Sequence, residues 1–494
     1  MDTKELLSIL PIKKIEGALP PAISDLAVNS RAINAGGMFV CIIGFTVDGH
    51  DFVQQAVANG ARVIVASKPV DVDLEKVAVV TVEDTSRAIS LLAARYYQYP
   101  SKKMTMIGVT GTNGKTSVSG IIHAILRASG EKSAVSGTIG FDLDGTLYDT
   151  ENTTGDALTT QALIAQAATE GCKTMSMEVS SHGLVEGRLA GTEFDIALFT
   201  NLTHDHLDFH GTMENYGEAK SLLFSQLGQD LEQRKFAVVN ADDPWSQKLL
   251  EKTSYPVLSY GIKNAAEFNG EDIVLTAEGT TFTLNSPDGK FPVSMNLIGE
   301  FSVANALAAT AALYAKGMAT ADIVNYLGEI ESVKGRMEKV ETELPLTMYV
   351  DYAHTPDAIK KAIEAVIPYK TKKLIFVIGT GGNRDRVKRP VMAKEASVAD
   401  YVVLTTDDPR DEPYETILAE LEAGMEHDNY ACIGDRAEAV RHAVAIANPN
   451  DIIIFAGKGH EDFQIIGNTK YPHSDAEIAL LEAEKKFGSK EVRN

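Results

Sequence analysis

The chain has 494 residues, 44% of them hydrophobic, enough for about three domains with cores of their own. Its 46 lysines and arginines stand against 68 aspartates and glutamates, a formal net charge of −22, which excludes nucleic acid and anionic membrane as partners by repulsion. No apolar run approaches the ~20 residues that cross a bilayer, the amino terminus lacks a signal-peptide layout, and Cys41, Cys172 and Cys432 form neither a disulfide framework nor a zinc spacing, so a soluble, cytoplasmic protein with buried reduced thiols is expected.

Residues 1–100 alternate strand and helix patterns, with strands predicted at 38–43, 61–66 and 77–82 and a helix at 84–97. Ser30, and Thr46 and His50 within the run 44–52, fall in loops beside these strands. Their hydroxyl and imidazole groups suit a nucleotide base and pyrophosphate, although polar turn chemistry is the simpler reading. Pro100 and Ser101 mark a boundary.

The apolar strand that follows leads into Gly111-Thr112-Asn113-Gly114-Lys115-Thr116-Ser117 at the start of a helical pattern. Glycines let backbone N–H groups approach phosphates, a helix N-terminus adds positive potential, Lys115 can reach the terminal phosphates, and Thr116 can ligate magnesium. Val109 stands where the common phosphate-loop spacing has its first glycine. A strand at 174–179 delivers Glu178, and one at 195–200 leads into His204-Asp205-His206-Leu207-Asp208. Ligands of open α/β sheets gather beyond the carboxyl ends of strands, so loop, Glu178 and His206 are expected on one rim. Magnesium prefers oxygen ligands, which favours Thr116 and Glu178 with His206 as a softer addition. A solvated loop is the alternative reading of the histidines. A small antiparallel excursion is predicted around 273–284, with a turn at Pro287-Asp288-Gly289, and an Ala-rich helix from 304.

The last segment again alternates, with strands at 348–352, 374–378, 401–405 and 452–456 and a helical stripe of Ala358, Ile359, Ala362, Ile363 and Val366. Gly379-Thr380-Gly381-Gly382 lacks the full dinucleotide fingerprint. Arg384, Arg386, Lys388, Arg389 and Arg410 concentrate positive charge in an acidic chain, suiting a carboxylate or phosphate, with a solvated face as the alternative. The expected fold is α/β with three domains, 1–100, 101–335 and 336–494: a central P-loop-type, mostly parallel sheet flanked by an N-terminal α/β domain and a C-terminal Rossmann-like one.

Eight stretches together carry a resemblance along essentially the whole chain. They are Gly111-Thr112-Asn113-Gly114-Lys115-Thr116, Asn152-Thr153-Thr154, Glu178-Val179-Ser180-Ser181-His182, Thr203-His204-Asp205-His206-Leu207-Asp208, Gly335-Arg336-Met337-Glu338, Asp351-Tyr352-Ala353-His354-Thr355-Pro356-Asp357, Asp407-Asp408-Pro409-Arg410 and Gly457-Lys458-Gly459-His460-Glu461. They resemble the Mur ligase family of peptidoglycan synthesis, and within it the synthetases that add the third residue of the stem peptide.

The resemblance implies ATP-dependent amide formation on UDP-MurNAc-L-Ala-D-Glu through an acyl phosphate, by a cytoplasmic enzyme expected to be a monomer. It implies phosphate and magnesium contacts for Lys115, Thr116 and Glu178, and a second magnesium for His206. Lys220 falls where the family carries a carbamylated lysine. Asn305 matches the adenine reader, and Arg336 and Asp351 match residues that meet ATP phosphate and ribose. Ser30, Thr46 and His50 fall in the uridine diphosphate region, and Asn152, Thr153, Thr154, Ser181 and Arg188 along the muramoyl-peptide path.

Gly155, Ser302 and Lys334 depart from the family pattern without removing a reactive group. Asp408 is a more informative departure, because ligases of meso-diaminopimelate typically carry Asn there. A carboxylate disfavours that substrate's distal carboxylate and attracts an ε-ammonium, so L-lysine is the expected amino acid. The resemblance further implies that Asp407, Asp408 and Arg410 form this amino-acid site, with Arg384 on the lysine carboxylate and Glu461 on its reacting amine. Meso-diaminopimelate is the alternative substrate. A folylpolyglutamate-type ligase and a P-loop transport or switch ATPase are the more remote readings.

Overall fold

The computed structural model describes residues 1–44, 47–150, 152–230 and 232–488. Three large sheets succeed one another along the chain in a three-domain α/β fold, with a two-stranded hairpin of Phe463–Ile466 and Thr469–Pro472 after the last of them. The first has five strands in the order Lys14–Glu16, Ala78–Thr81, Val63–Ala66, Met38–Val40, Leu26–Ala27, antiparallel only at the Lys14–Glu16 edge. Val63–Ala66 is buried throughout, as expected of a parallel strand covered on both faces. The strand predicted at 38–43 ends at Val40, where the chain turns so that Gly49 N–H can reach the Ile42 carbonyl.

The central sheet has eleven strands, and Thr105–Thr110 lies in its middle between Thr174–Glu178 and Ile196–Phe199, parallel to both. Val109 pairs with Glu178 and Thr110 with Phe199, so these strands end at one level. One side of the sheet ends in the antiparallel ribbon Phe268–Leu275, Thr280–Ser286, Gly289–Met295; the other ends in Gly140–Leu143 and Thr146–Tyr148.

Lys115–Ala128 covers the central strands because Val118, Ile121, Ile122, Ile125 and Leu126 recur at helical spacing on one face, and all are buried. Burying each isoleucine contributes about 1.5–3 kcal/mol before its entropy cost. Glu300–Lys316 joins the same core through Ala306, Ala308, Ala309, Ala311 and Ala312. That helix starts four residues before the alanine run, behind Gly299 at φ 90°.

The third sheet runs Glu338–Lys339, Thr347–Asp351, Ile452–Ala456, Leu374–Thr380, Tyr401–Thr406, Tyr430–Cys432, parallel apart from its first edge. Apolar clusters cover both of its faces, the doubly wound arrangement of a Rossmann-like domain. Cys41 and Cys172 are buried, but Cys432 is exposed, because it lies at the end of the edge strand.

Candidate active site

The carboxyl ends of the central strands face the C-terminal sheet across a cavity of about 470 Å³. Its central-domain wall is the phosphate loop, lined by Thr112, Asn113, Gly114, Lys115, Thr116 and Ser117. Gly111 is required to be glycine, since it sits at φ +146° and a Cβ there would run into the Thr200 hydroxyl. Lys115 Nζ donates to the Gly111 and Thr112 carbonyls at 3.0 and 2.8 Å. Burial lowers its pKa, opposed by the charges of Glu178 and Asp205.

Thr116 donates its hydroxyl to Glu178 Oε2 at 2.9 Å, and Thr138 donates its N–H to Oε1 at 2.8 Å. Gly137 leaves room for this carboxylate, which a Cβ there would strike. Glu178 is 2% exposed, and among the described residues no lysine, arginine or histidine stands within ion-pair distance of it. A buried carboxylate beside a hydroxyl, with no cation of its own, is a donor set that fits magnesium. Sequence reasoning missed Thr138, which also bonds Thr153 at 3.0 Å and so ties that residue to the Glu178 site.

His206 lines the same cavity with a left-handed backbone, φ 53°, its ring against His182 at 5.0 Å. Burial in the cleft, reinforced by His182 and Lys220, lowers its pKa to about 3 although Asp205 pulls the other way, so the ring is neutral near pH 7. Asp205 is buried; burial alone would raise its pKa, but Lys388 at 3.5 Å holds it well below the usual carboxylate range. Lys220 lies behind the loop rather than on the cavity surface. It is 1% exposed, donates to the Gly111 carbonyl at 2.8 Å, and rests 4.1 Å from the Tyr216 ring centre. Burial, with repulsion from Lys115, depresses its pKa well below the usual lysine value.

The C-terminal wall carries Arg336, Asp351, Arg384, Asp407, Asp408, Arg410 and Glu461, opposite Asn305 of the central domain. Arg336 crosses the junction to donate to the Thr116 hydroxyl at 2.8 Å. Asp351 accepts the backbone N–H groups of Met337 and Ala353, which ties up both of its oxygens. Oxygens of Asp407, Asp408 and Glu461 lie within 4.8 Å of one another. Lys458 occupies the middle of this group, 3.3, 2.6 and 2.7 Å from the three, so the cluster already holds a cation. Desolvation works against that ammonium, yet the carboxylates hold its pKa above the usual lysine value. Glu461 also accepts the Tyr352 hydroxyl at 3.2 Å, and burial raises its pKa.

Several expected residues lie outside this cavity. Ser30 donates to Gln55 at 2.7 Å. Both ring nitrogens of His50 have partners, Asp48 at 2.5 Å and the Ser67 N–H at 3.1 Å. Thr46 lies outside the described residues. Thr154 bonds the Glu178 carbonyl, Arg188 holds the Thr154 carbonyl and Glu186, and Ser181 faces His210 at 2.9 Å; Asn152 is exposed.

Residues 109–313 match the Mur ligase middle domain, 335–459 the Mur ligase glutamate ligase domain and 22–97 the Mur ligase family catalytic domain. The chain is 48% identical over 482 residues to UDP-N-acetylmuramyl-tripeptide synthetase 2 of Oceanobacillus iheyensis, covering 97% of this chain and 98% of that one. The chain belongs to the Mur ligase family. This Mur ligase is also 45% identical to the UDP-N-acetylmuramoyl-L-alanyl-D-glutamate–L-lysine ligase of Staphylococcus haemolyticus, over 99% of both chains. Among solved structures it is similar to a UDP-N-acetylmuramoyl-L-alanyl-D-glutamate–2,6-diaminopimelate ligase, at 32% identity and a TM-score of 0.70, covering 97% of this Mur ligase and 99% of that chain. As a Mur ligase it is an ATP-dependent ligase, and no helix among its described residues is long and apolar enough to cross a membrane.

Proposed function

We propose that this Mur ligase joins L-lysine to UDP-MurNAc-L-Ala-D-Glu at the expense of ATP, in the cytoplasm and as a monomer. The observation that carries the reading is the single cavity whose one wall is the phosphate loop and whose other wall is Arg384, Asp408, Arg410 and Glu461. ATP and an amino acid can thus meet over one bound carboxylate. The 45% identical relative is named as a lysine ligase, which supports lysine as the amino acid.

In this reading an oxygen of the D-glutamyl carboxylate attacks the γ-phosphorus of ATP and ADP departs. The lysine α-amine then adds to the acyl carbon, inorganic phosphate leaves, and the amine loses a proton to form the amide. The protein contributes mainly position and charge. Lys115 and the loop N–H groups receive the phosphates, Asn305 reads adenine, and Arg336 and Asp351 close the nucleotide site from the C-terminal side. Arg384 holds the lysine carboxylate, while Glu461, whose pKa burial raises, accepts from the amine. Magnesium would neutralise phosphate charge, with Thr116 and Glu178 at one position and His206 at a second, and a carbamylated Lys220 would add oxygen ligands to the site. Ser30, Thr46 and His50 would serve the uridine diphosphate, His50 by holding its loop. Thr153, Thr154, Asn152, Ser181 and Arg188 would border the muramoyl-peptide path.

Phosphate release from purified protein decides the matter. It is expected to need ATP, the UDP-dipeptide and lysine together. Release that ignores the dipeptide and the amino acid would reject the ligase reading, and faster turnover of meso-diaminopimelate than of lysine would reject the choice of amino acid.

A further inference from the structure

The two loops that carry Arg384 and Arg410 come from different strands, yet they touch backbone to backbone. The Gly382 N–H donates to the Asp408 carbonyl at 2.8 Å, and Arg410 Nη1 donates to the Gly382 carbonyl at 3.1 Å. A Cβ on Gly382 would collide with the Pro409 carbonyl. Behind this contact lies Arg389, on the helix Lys388–Ala396, with 0% exposure. Its fork donates to both oxygens of Glu412 at 2.7 and 2.8 Å and to the Gly381 carbonyl at 3.1 Å. Glu412 Oε2 in turn accepts the Asn383 N–H at 3.0 Å, and Asn383 holds a left-handed backbone, φ 55°. One guanidinium and one carboxylate therefore grip residues on both sides of Gly382, directly before Arg384.

We infer that Arg389 and Glu412 are positioning residues for the incoming amino acid, setting the separation between Arg384 at its carboxylate and Asp408 with Arg410 at its distal end. The inference rests on reading this wall as the amino-acid site. A buried ion pair is weak evidence for stability, because apolar side chains of similar volume would fill the space as well. Apolar side chains could not, however, hold the Gly381 carbonyl and the Asn383 N–H in a fixed relation. The motif residue Arg410 is visible in the sequence; the partner that locks its loop is two residues on and looks like a surface glutamate.

Glu420 supplies an internal control. It pairs with Arg389 at 2.7 Å from the helix Tyr414–Glu422, and its other ion-pair partner among the described residues is the exposed Arg386. Glu412→Gln and Glu420→Gln each remove one negative charge from Arg389, but only the first loosens the loop. Phosphate release is titrated separately with ATP, the UDP-dipeptide and the amino acid, using lysine or meso-diaminopimelate according to which the parent enzyme turns over. Glu412→Gln is expected to raise the KM for the amino acid about tenfold. The other two KM values are expected to stay within about twofold, and Glu420→Gln to leave all three there. Equal effects from the two variants, or an equal rise in all three KM values with Glu412→Gln, would overturn the inference, as would no rise in the amino-acid KM. If Glu412→Gln melts below the assay temperature, Arg389→Lys, which keeps the charge and loses the fork, carries the same expectation. A parent enzyme that uses neither amino acid fails in its own control, which separates failure of the functional reading from failure of the positioning role.

Discussion

Asn113 of the phosphate loop donates its side-chain amide to Asp357 Oδ2 at 2.8 Å, joining residues 244 positions apart. Its backbone belongs to the central domain, where its N–H donates to Asn201 Oδ1 at 2.9 Å and its carbonyl accepts the Thr200 hydroxyl at 2.6 Å. Its side chain belongs to the helix Pro356–Val366 of the other wall. With Arg336 on Thr116, it makes the phosphate loop sense the position of the C-terminal domain.

Asp357→Ala is therefore expected to weaken nucleotide binding without touching nucleotide. Losing a partly exposed, charge-assisted hydrogen bond costs about 1 kcal/mol, or about fivefold in affinity for a non-hydrolysable ATP analogue by calorimetry. An effect confined to the amino-acid KM would contradict this coupling.

Lys220 is expected to carry carbon dioxide. The attacking species is the neutral amine, which the buried site favours by lowering its pKa. A C–N bond forms to carbon dioxide, one proton leaves, and a buried cation becomes an oxygen ligand beside the phosphate loop. Enzyme equilibrated with 13C-bicarbonate should show a carbamate carbon signal that Lys220→Ala lacks. Activity of that variant should fall ~100-fold, the scale of losing a residue that supports a metal site. Full activity of Lys220→Ala in bicarbonate-free buffer would remove the modification from the mechanism.

Acid should destabilise the fold before it reaches the paired carboxylates. His210 is buried against Ser181, and burial, with repulsion from His182 and Lys220, lowers its pKa to about 4. The unfolded chain takes up a proton near pH 6.5 and the folded one only near 4, so stability is present above 6.5 and lost as pH falls through that window. His182 shifts in the same direction. Glu412, whose pKa Arg389 lowers to about 2, releases its share only at lower pH. Between pH 7 and 5 the loss from His210 is expected to be about 1–2 kcal/mol. Denaturant unfolding at the two pH values should show a smaller difference in His210→Gln than in the parent.

Much of this site was legible because its chemistry follows strand ends. Gly111–Ser117, Glu178 and His206 each trail a continuous apolar run, and parallel pairing of those runs brings them to one rim. What was hidden depends on contacts between distant segments. Thr138 sits in the turn between Ser133–Gly137 and Gly140–Leu143, whose mixed small residues gave no strand signal, yet it bonds both oxygens of Glu178. Lys458 lies within the motif Gly457-Lys458-Gly459-His460-Glu461, but nothing in its spacing announces that it pairs with Asp408 across 50 residues. Ser30 and His50, expected beside the uridine diphosphate, also bond within the N-terminal domain, to Gln55 and to Asp48 and Ser67, and the spacing of these residues announces none of those partners.

Lys458 also sharpens the argument about the amino acid. Asp408 Oδ1 accepts from Lys458 at 2.6 Å and from the Ile465 N–H at 2.9 Å, while Oδ2 lies 3.6 Å from Arg410. Its charge is thus shared with two cations rather than offered whole to a substrate. Asp407, Asp408 and Glu461 nevertheless carry three negative charges against the two positive charges of Lys458 and Arg410, leaving one in excess. Asp408→Asn removes that excess and keeps the shape of the side chain. An ε-ammonium would lose attraction and a distal carboxylate would meet less repulsion, each by about 1 kcal/mol in this partly screened site. The ratio of kcat/KM for lysine to that for meso-diaminopimelate is then expected to fall ~30-fold, the two effects adding. The ratio is measured by competition between the two amino acids at fixed ATP and UDP-dipeptide. An unchanged ratio would mean that Lys458 and Arg410 already neutralise Asp408 completely, and that the choice between the two amino acids is made elsewhere on the cavity wall.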